Sequence, residues 1–243
     1  GTRALIDLLT KRRIGQPIRT DGPQGHQVKA GTPTMGGVAI VFGAIAGYIL
    51  SHLLIGGIYT VSGLLAVAAI AGAGLVGLLD DWIKVSRERS LGLTSRTKML
   101  GLIAVAVAFA GTAMIARDQT GTRTELSFTR YTELDLGTVG WIIWAVLLII
   151  GSSNAVNLTD GLDGLAAGSG IFSFAAYVLI GFWIFRQNQT RPLLYDVPHA
   201  LDLAVVAVAM VGALAGFLWF NAAPAEIFMG DTGSLAIGTG LAV

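Results

Sequence analysis

Apolar residues along this chain gather into long uninterrupted blocks, with the polar residues confined to short stretches between them. A helix that crosses about 30 Å of hydrocarbon needs about 20 consecutive apolar residues, because its backbone polar groups must be satisfied within the segment itself. Six blocks have that length, at 35–54, 58–79, 99–116, 136–156, 168–185 and 199–220, and a seventh starts near Ser234 and runs truncated over 234–243. The short stretch 4–9 reads as the inner end of an earlier helix. One buried helix of a soluble protein can be this apolar, but six in succession exclude that class. The pattern predicts an all-α fold: a polytopic transmembrane helical bundle with six complete spans and truncated helices at both ends. Residues 1–243 are expected to form one integral-membrane domain, itself a piece of a longer chain.

Composition agrees with the pattern. Hydrophobic residues make up 53% of the chain and charged residues 13%, at a mean hydropathy of +0.70, whereas soluble domains carry roughly a quarter charged residues. A net charge of +1 excludes binding to nucleic acid through a large basic surface. With no cysteine, disulfides and thiolate-bound metals are excluded as well. The few cations set the orientation. Successive spans alternate sides, and one set of loops holds Arg3, Lys11, Arg12, Arg13, Arg19, Lys29, Lys84, Arg87, Arg89, Arg96 and Lys98, the other only Arg117, Arg123, Arg130, Arg186 and Arg191. Because cytoplasmic loops carry the excess of Lys and Arg, the first set is assigned to the cytoplasm.

The same alternation gathers the polar motifs on that face. Asp80-Asp81 closes the second span. Adjacent carboxylates that both stay ionised ask for a cation, and Mg²⁺ favours carboxylates with water and phosphate; a pair of charges that merely stops a helix is the other reading. Asn157, Asp160 and Asp163 recur every third residue in a connection with no Lys or Arg, so that on a helical turn they would lean to one face. An Asx-rich turn is the simpler alternative. In Asn221-Ala222-Ala223-Pro224-Ala225-Glu226-Ile227-Phe228-Met229-Gly230-Asp231-Thr232-Gly233-Ser234, two glycines flank Asp231 and would expose its carboxylate beside free N–H groups at a helix start. Asp231 serving as the N-cap of that helix is compatible with this. The loop from Lys11 to Gly37, with His26 and Lys29, suits a phosphate-bearing ligand, although Lys11-Arg12-Arg13 is equally read as topological. Lys98 adds positive charge near Asp80-Asp81.

Other features are read as structural. Gly72-Ala73-Gly74-Leu75-Val76-Gly77 matches a dinucleotide fingerprint but sits inside an apolar span with no strand before it, so helix packing explains it. The loops on the opposite side show no recurring polar constellation, and His52 and His199 there are read as interfacial. Several carboxylates, a few cations and glycine-rich turns at one membrane surface suit phosphoryl transfer to a lipid headgroup, with a metal and lysine offsetting leaving-group charge.

The chain resembles the polyprenyl-phosphate N-acetylhexosamine-1-phosphate transferase superfamily, most closely its phospho-N-acetylmuramoyl-pentapeptide transferase (MraY) branch. The likeness covers nearly the whole chain. Gly31-Thr32-Pro33-Thr34-Met35-Gly36-Gly37, with Gln16-Pro17-Ile18-Arg19 and Asp21-Gly22-Pro23 before it, is similar to the opening of that branch, and Leu79-Asp80-Asp81, 154–165 and 228–234 are similar to signatures shared more widely. The resemblance implies transfer of phospho-MurNAc-pentapeptide from UDP-MurNAc-pentapeptide to undecaprenyl phosphate, giving lipid I and UMP for peptidoglycan. It implies Mg²⁺ as cofactor, a homodimer of ten-span subunits, and a multi-pass place in the bacterial plasma membrane with the active site facing the cytoplasm. On matching positions Asp231 resembles the metal ligand and Asp80 the base that deprotonates the lipid phosphate, with Asp81 assisting. Asn157, Asp160 and Phe228 resemble residues of a uridine pocket, with Asp163 and Asn221 beside it, and Lys29 and Lys98 resemble diphosphate or substrate contacts. Direct attack and an aspartyl intermediate on a residue such as Asp231 are both open. The family also carries spans and a His-rich segment beyond the seventh block, so these 243 residues are expected to be inactive alone.

Other functions fit less well. A sibling transferase using another UDP-sugar shares the wider signatures but not the Pro33-Thr34-Met35-Gly36 opening. An ion-coupled transporter would place its acids near the membrane midplane. An intramembrane aspartyl protease would need a glycine where Phe228 stands.

Overall fold

The computed structural model describes residues 2–11, 32–87, 91–127, 131–190, 197 and 199–243. Its helices are α1 (Thr2–Lys11), α2 (Gly37–Ile55), α3 (Val61–Ser86), α4 (Ser95–Ile115), a single turn α5 (Arg117–Thr120), α6 (Gly137–Thr159), α7 (Leu165–Thr190), α8 (Ala200–Asn221) and α9 (Gly230–Ala242). Six of them, α2, α3, α4, α6, α7 and α8, are long and apolar enough to cross a membrane. Short connections force consecutive long helices to run in opposite directions, so the helix ends form two polar layers on either side of an apolar slab. A two-stranded antiparallel hairpin, β1 (Glu125–Ser127) and β2 (Tyr131–Asp135), interrupts the all-helical pattern between α5 and α6, with Glu125 opposite Asp135.

Several helices reach further than the apolar blocks, because hydropathy marks only the part of a helix that is immersed in hydrocarbon. The second block ends at 79, yet α3 continues to Ser86 and carries Asp80, Asp81 and Lys84 on its last turns. Acids at a helix C-terminus oppose its dipole, but Lys84 lies four residues after Asp80, where the two side chains meet. Likewise α6 runs to Thr159 and takes Asn157 into its last turn, leaving Asp160 as the C-cap and Asp163 in the following turn. The three residues therefore do not share one helical face. At the chain start, α1 is amphipathic: Ile6 and Leu9 are buried among the core residues, while Arg3 pairs with Asp7 and Glu226.

The core centres on α9. Every residue from Asp231 to Gly240 is buried, and α9 packs against α3, α6 and α2, while α7 and α8 form a neighbouring antiparallel pair. Small residues permit this enclosure. A Cβ on Gly37 would overlap the Gly233 backbone, and one on Gly77 would overlap the carbonyl of Asp231. Gly77 thus belongs to helix packing, as expected of the glycine run in that span.

The far end of the bundle holds a polar cluster with no counterpart in the sequence reading. Asp202, in the first turn of α8, accepts from Tyr48 Oη at 3.0 Å, from the Thr60 backbone N–H at 3.1 Å and from Thr60 Oγ1. Its other oxygen lies 2.9 Å from His52 Nε2. His52 is buried and stacks on Tyr59, so it is not an interfacial residue open to water. A buried carboxylate requires such donors, and these come from the end of α2 and the start of α3.

Candidate active site

The ends of α3, α6 and α8, the starts of α4 and α9, and the segments beside them converge at the other end of the bundle. The strand-like segment before α2 docks on the segment before α9: Phe228 N–H donates to Pro33 O at 2.8 Å, Gly36 N–H to Phe228 O at 2.9 Å, and Gly37 N–H to Met229 O at 2.8 Å. Asn221, at the end of α8, is buried and uses both ends of its amide as a brace, accepting from Gly164 N–H at 3.0 Å and donating to Ile227 O at 2.9 Å. Asp163 accepts from Ala225 N–H at 3.3 Å. These bonds tie the 160–164 turn to the 221–230 loop and fix the walls of a cavity of about 280 Å³.

Asp81, Asn157, Asp160, Asp163, Asn221, Phe228 and Asp231 all line that cavity. Asp231 is the hub. Asn157 Nδ2 donates to its Oδ1 at 2.6 Å, and Lys84 Nζ at 2.8 Å and Lys98 Nζ both donate to its Oδ2. Its carboxylate is buried rather than exposed by the flanking glycines, which instead let α9 close against its neighbours. Asp80, 1% exposed, lies behind Asp231, accepting from Leu93 N–H at 2.8 Å and pairing with Lys84 and with Lys98 at 3.4 Å. Asp81 is turned toward the start of α9 and accepts from Asp231 N–H at 3.1 Å, Thr232 N–H at 2.9 Å and Thr232 Oγ1 at 2.7 Å. The N–H groups expected to be free for an anion are therefore taken by Asp81, and the cap of α9 comes from α3 rather than from Asp231. Lys29 lies outside the described residues.

Lys84 is the site residue that sequence reasoning passed over, since it had been counted only toward orientation. The signal was present: extending the helix past 79 puts Lys84 one turn after Asp80 on the same face. Asp80, Asp81 and Asp231 each offer an oxygen within 4.8 Å of the others, a group that could hold a metal ion. With Asp160 and Asp163 they make five acids, against two amines among the described residues, Lys84 and Lys98. Burial pushes the Asp160 carboxyl up to about 7, and the charges of Asp231, Asp81 and Asp163 add to the shift. Such a centre can accept a cation, and a phosphate-bearing ligand would need one to enter it.

Comparison with known proteins bears on what this arrangement serves. Residues 63–243 match the family model described as glycosyl transferase family 4, and residues 29–41 match phospho-N-acetylmuramoyl-pentapeptide-transferase signature 1. The phospho-N-acetylmuramoyl-pentapeptide-transferase of Thermobifida fusca is 53% identical over 248 residues, covering 98% of this chain and 71% of that protein. Those of Streptomyces avermitilis and Frankia casuarinae are each 49% identical, over 100% and 98% of this chain and 71% and 69% of the relative. The chain belongs to the phospho-N-acetylmuramoyl-pentapeptide-transferase family. Signature 1 ends inside α2 and includes the Pro33 to Gly37 segment that pairs with Phe228 and Met229, so the family's marker sequence is part of the wall-building contacts of the cavity.

Proposed function

We propose that the chain carries the active centre of a phospho-N-acetylmuramoyl-pentapeptide transferase, moving the phospho-sugar from UDP-MurNAc-pentapeptide to undecaprenyl phosphate and releasing UMP. The observation that carries this reading is Asp231, held by Lys84, Lys98 and Asn157 at the wall of an acidic cavity at a bundle end. Family membership at about half identity supports the choice of donor. In the net reaction an oxygen of the lipid phosphate bonds to the sugar-bearing phosphorus, and the bond to the UMP phosphate breaks with its electron pair leaving on UMP. The product is lipid I.

The roles follow the family resemblance. Asn157, Asp160 and Phe228 line the part of the cavity assigned to uridine, with Asp163 and Asn221 holding its wall. Asp231, with Asp80 beside it, would hold Mg²⁺, which when bound offsets charge on the two phosphates. The resemblance assigns Asp80 the deprotonation of the lipid phosphate, although its carboxylate lies behind Asp231 and outside the cavity lining, and Asp81 assists by holding Asp231 in place. Lys29, from the segment before α2, contacts the diphosphate, and Lys98, which does not line the cavity, serves it by holding Asp231 and Asp80. The uneven distribution of Lys and Arg supports a cytoplasmic setting for this end, within a bacterial plasma membrane. A second copy as partner follows from the family resemblance.

The full-length parent tests the proposal. UMP release is expected only when undecaprenyl phosphate, UDP-MurNAc-pentapeptide and Mg²⁺ are all present. Equal release from UDP-GlcNAc, or full activity in chelator, would overturn it. Asp231→Asn and Asp80→Asn should each abolish turnover while the protein stays folded.

A further inference from the structure

Lys84 Nζ lies 2.5 Å from Asp80 Oδ2, 2.8 Å from Asp231 Oδ2 and 3.7 Å from Asp81 Oδ1. These are the same three carboxylates whose oxygens converge. One ammonium group therefore stands where a cation shared by all three would stand. Three donors already surround the Asp231 carboxylate, Asn157 on Oδ1 and two amines on Oδ2. A divalent ion approaching Oδ2 meets two positive charges bonded to the same atom. At such separations, with water partly excluded, like charges repel strongly enough that one amine must leave.

The surroundings decide which. Lys98 sits in the first turn of α4 and does not line the cavity; its amine also contacts Asp80 Oδ1 at 3.4 Å, and Leu93, whose N–H binds that same oxygen, anchors the segment. Lys84 lines the cavity. A lysine stem has four flexible carbons and three donors that can turn to new partners. Lys84 has both a place to go and the means to reach it.

We propose that Lys84 is the counter-ion of the metal-free centre, and that its ammonium leaves Asp231 for the cavity when a divalent cation binds there, so that it meets the donor's diphosphate. The inference rests on the metal role proposed above for Asp231. It makes cation and donor binding mutually reinforcing, because the exchange delivers a positive charge to the space the phosphates must occupy.

Titration of the full-length protein with Mn²⁺, followed by the paramagnetic resonance of the free ion, tests the exchange. Lys84→Met has no ammonium to displace and should bind Mn²⁺ at least about fivefold more tightly than wild type, the lower end of ordinary coupling between two bound species. Equal or weaker binding overturns the inference. Absence of Mn²⁺ binding in both proteins would instead refute the metal role on which it rests. Should Lys84→Met fail to fold, amine acylation of the wild-type protein read by mass spectrometry decides the matter. Modification of Lys84 should rise severalfold on adding Mg²⁺ while that of Lys98 stays level, and unchanged or stronger protection of Lys84 overturns the exchange.

Discussion

The backbone N–H of Asp231 donates to Asp81 Oδ1 at 3.1 Å, a contact between residues 150 positions apart that joins the end of α3 to the start of α9. Asp81 Oδ2 completes the cap by accepting the N–H and hydroxyl of Thr232. A carboxylate serves three donors here; an amide offers one acceptor and turns an NH₂ toward the remaining N–H. Asp81→Asn is therefore expected to lower stability by about 2–3 kcal/mol, the usual loss when a bond to a charged acceptor is removed and its buried partner left unpaired. Thr232→Val removes only the hydroxyl donor of this cap and leaves both N–H bonds, so it should unfold at a higher temperature than Asp81→Asn. Thermal unfolding of the two variants in detergent separates them, and equal midpoints would count against the capping role.

Gly77 marks where α3 and α9 come closest. A Cβ there would overlap the Asp231 carbonyl, whereas Gly111 on α4 has no atom within 4 Å of the corresponding position. Gly77→Ala should cost about 1–3 kcal/mol through overpacking and, by moving Asp231, most of the UMP release. Gly111→Ala should be neutral or stabilising by up to about 1 kcal/mol, since alanine favours a helix over glycine. Loss of activity in Gly111→Ala, or its retention in Gly77→Ala, would contradict the packing account.

The spans and most site residues were legible in the sequence because each announces itself locally. Hydrophobic blocks mark the membrane helices, and Asp80-Asp81, Asn157 and Asp231 stand out as polar groups where the pattern breaks. Helix continuation past the apolar slab leaves no hydropathy signal, so α3 was cut at 79 and Lys84 lost its place beside Asp80. The glycines around Asp231 were read as exposing it; they permit close approach, and close approach buries it. Asp202 was missed because its partners Tyr48 and Thr60 lie 154 and 142 positions away, and no periodicity relates such distant residues.

That distant cluster gives a variant that separates stability from chemistry. Asp202 gathers Tyr48, His52 and Thr60 at the end of the bundle opposite the candidate site. Asp202→Asn keeps the size but removes the charge that its buried donors face. Leaving a buried donor without its acceptor costs about 1–3 kcal/mol. The variant should therefore unfold at lower temperature yet release UMP at the wild-type rate per folded molecule. A changed KM for the donor in correctly folded protein would show that this end communicates with the site.

Asp160 makes stability depend on pH in a direction opposite to that of a paired surface acid. Its carboxyl is pushed up to about 7 in the folded protein by burial and by the charges of Asp231, Asp81 and Asp163, against an ordinary value of 3.8. Between those values the unfolded chain gives up the proton while the folded one keeps it, so the unfolded state binds fewer protons and stability falls as pH rises. The contribution of Asp160 is complete below about 3.8, declines steadily above it, and is gone once the folded carboxyl ionises near 7. Asn keeps the shape and a donor without titrating, so Asp160→Asn should remove this slope. Unfolding midpoints measured from about pH 5 to about pH 8 should fall for wild type relative to Asp160→Asn up to about pH 7 and then run parallel. Parallel curves across the whole range would place Asp160 in water rather than against the acidic cluster.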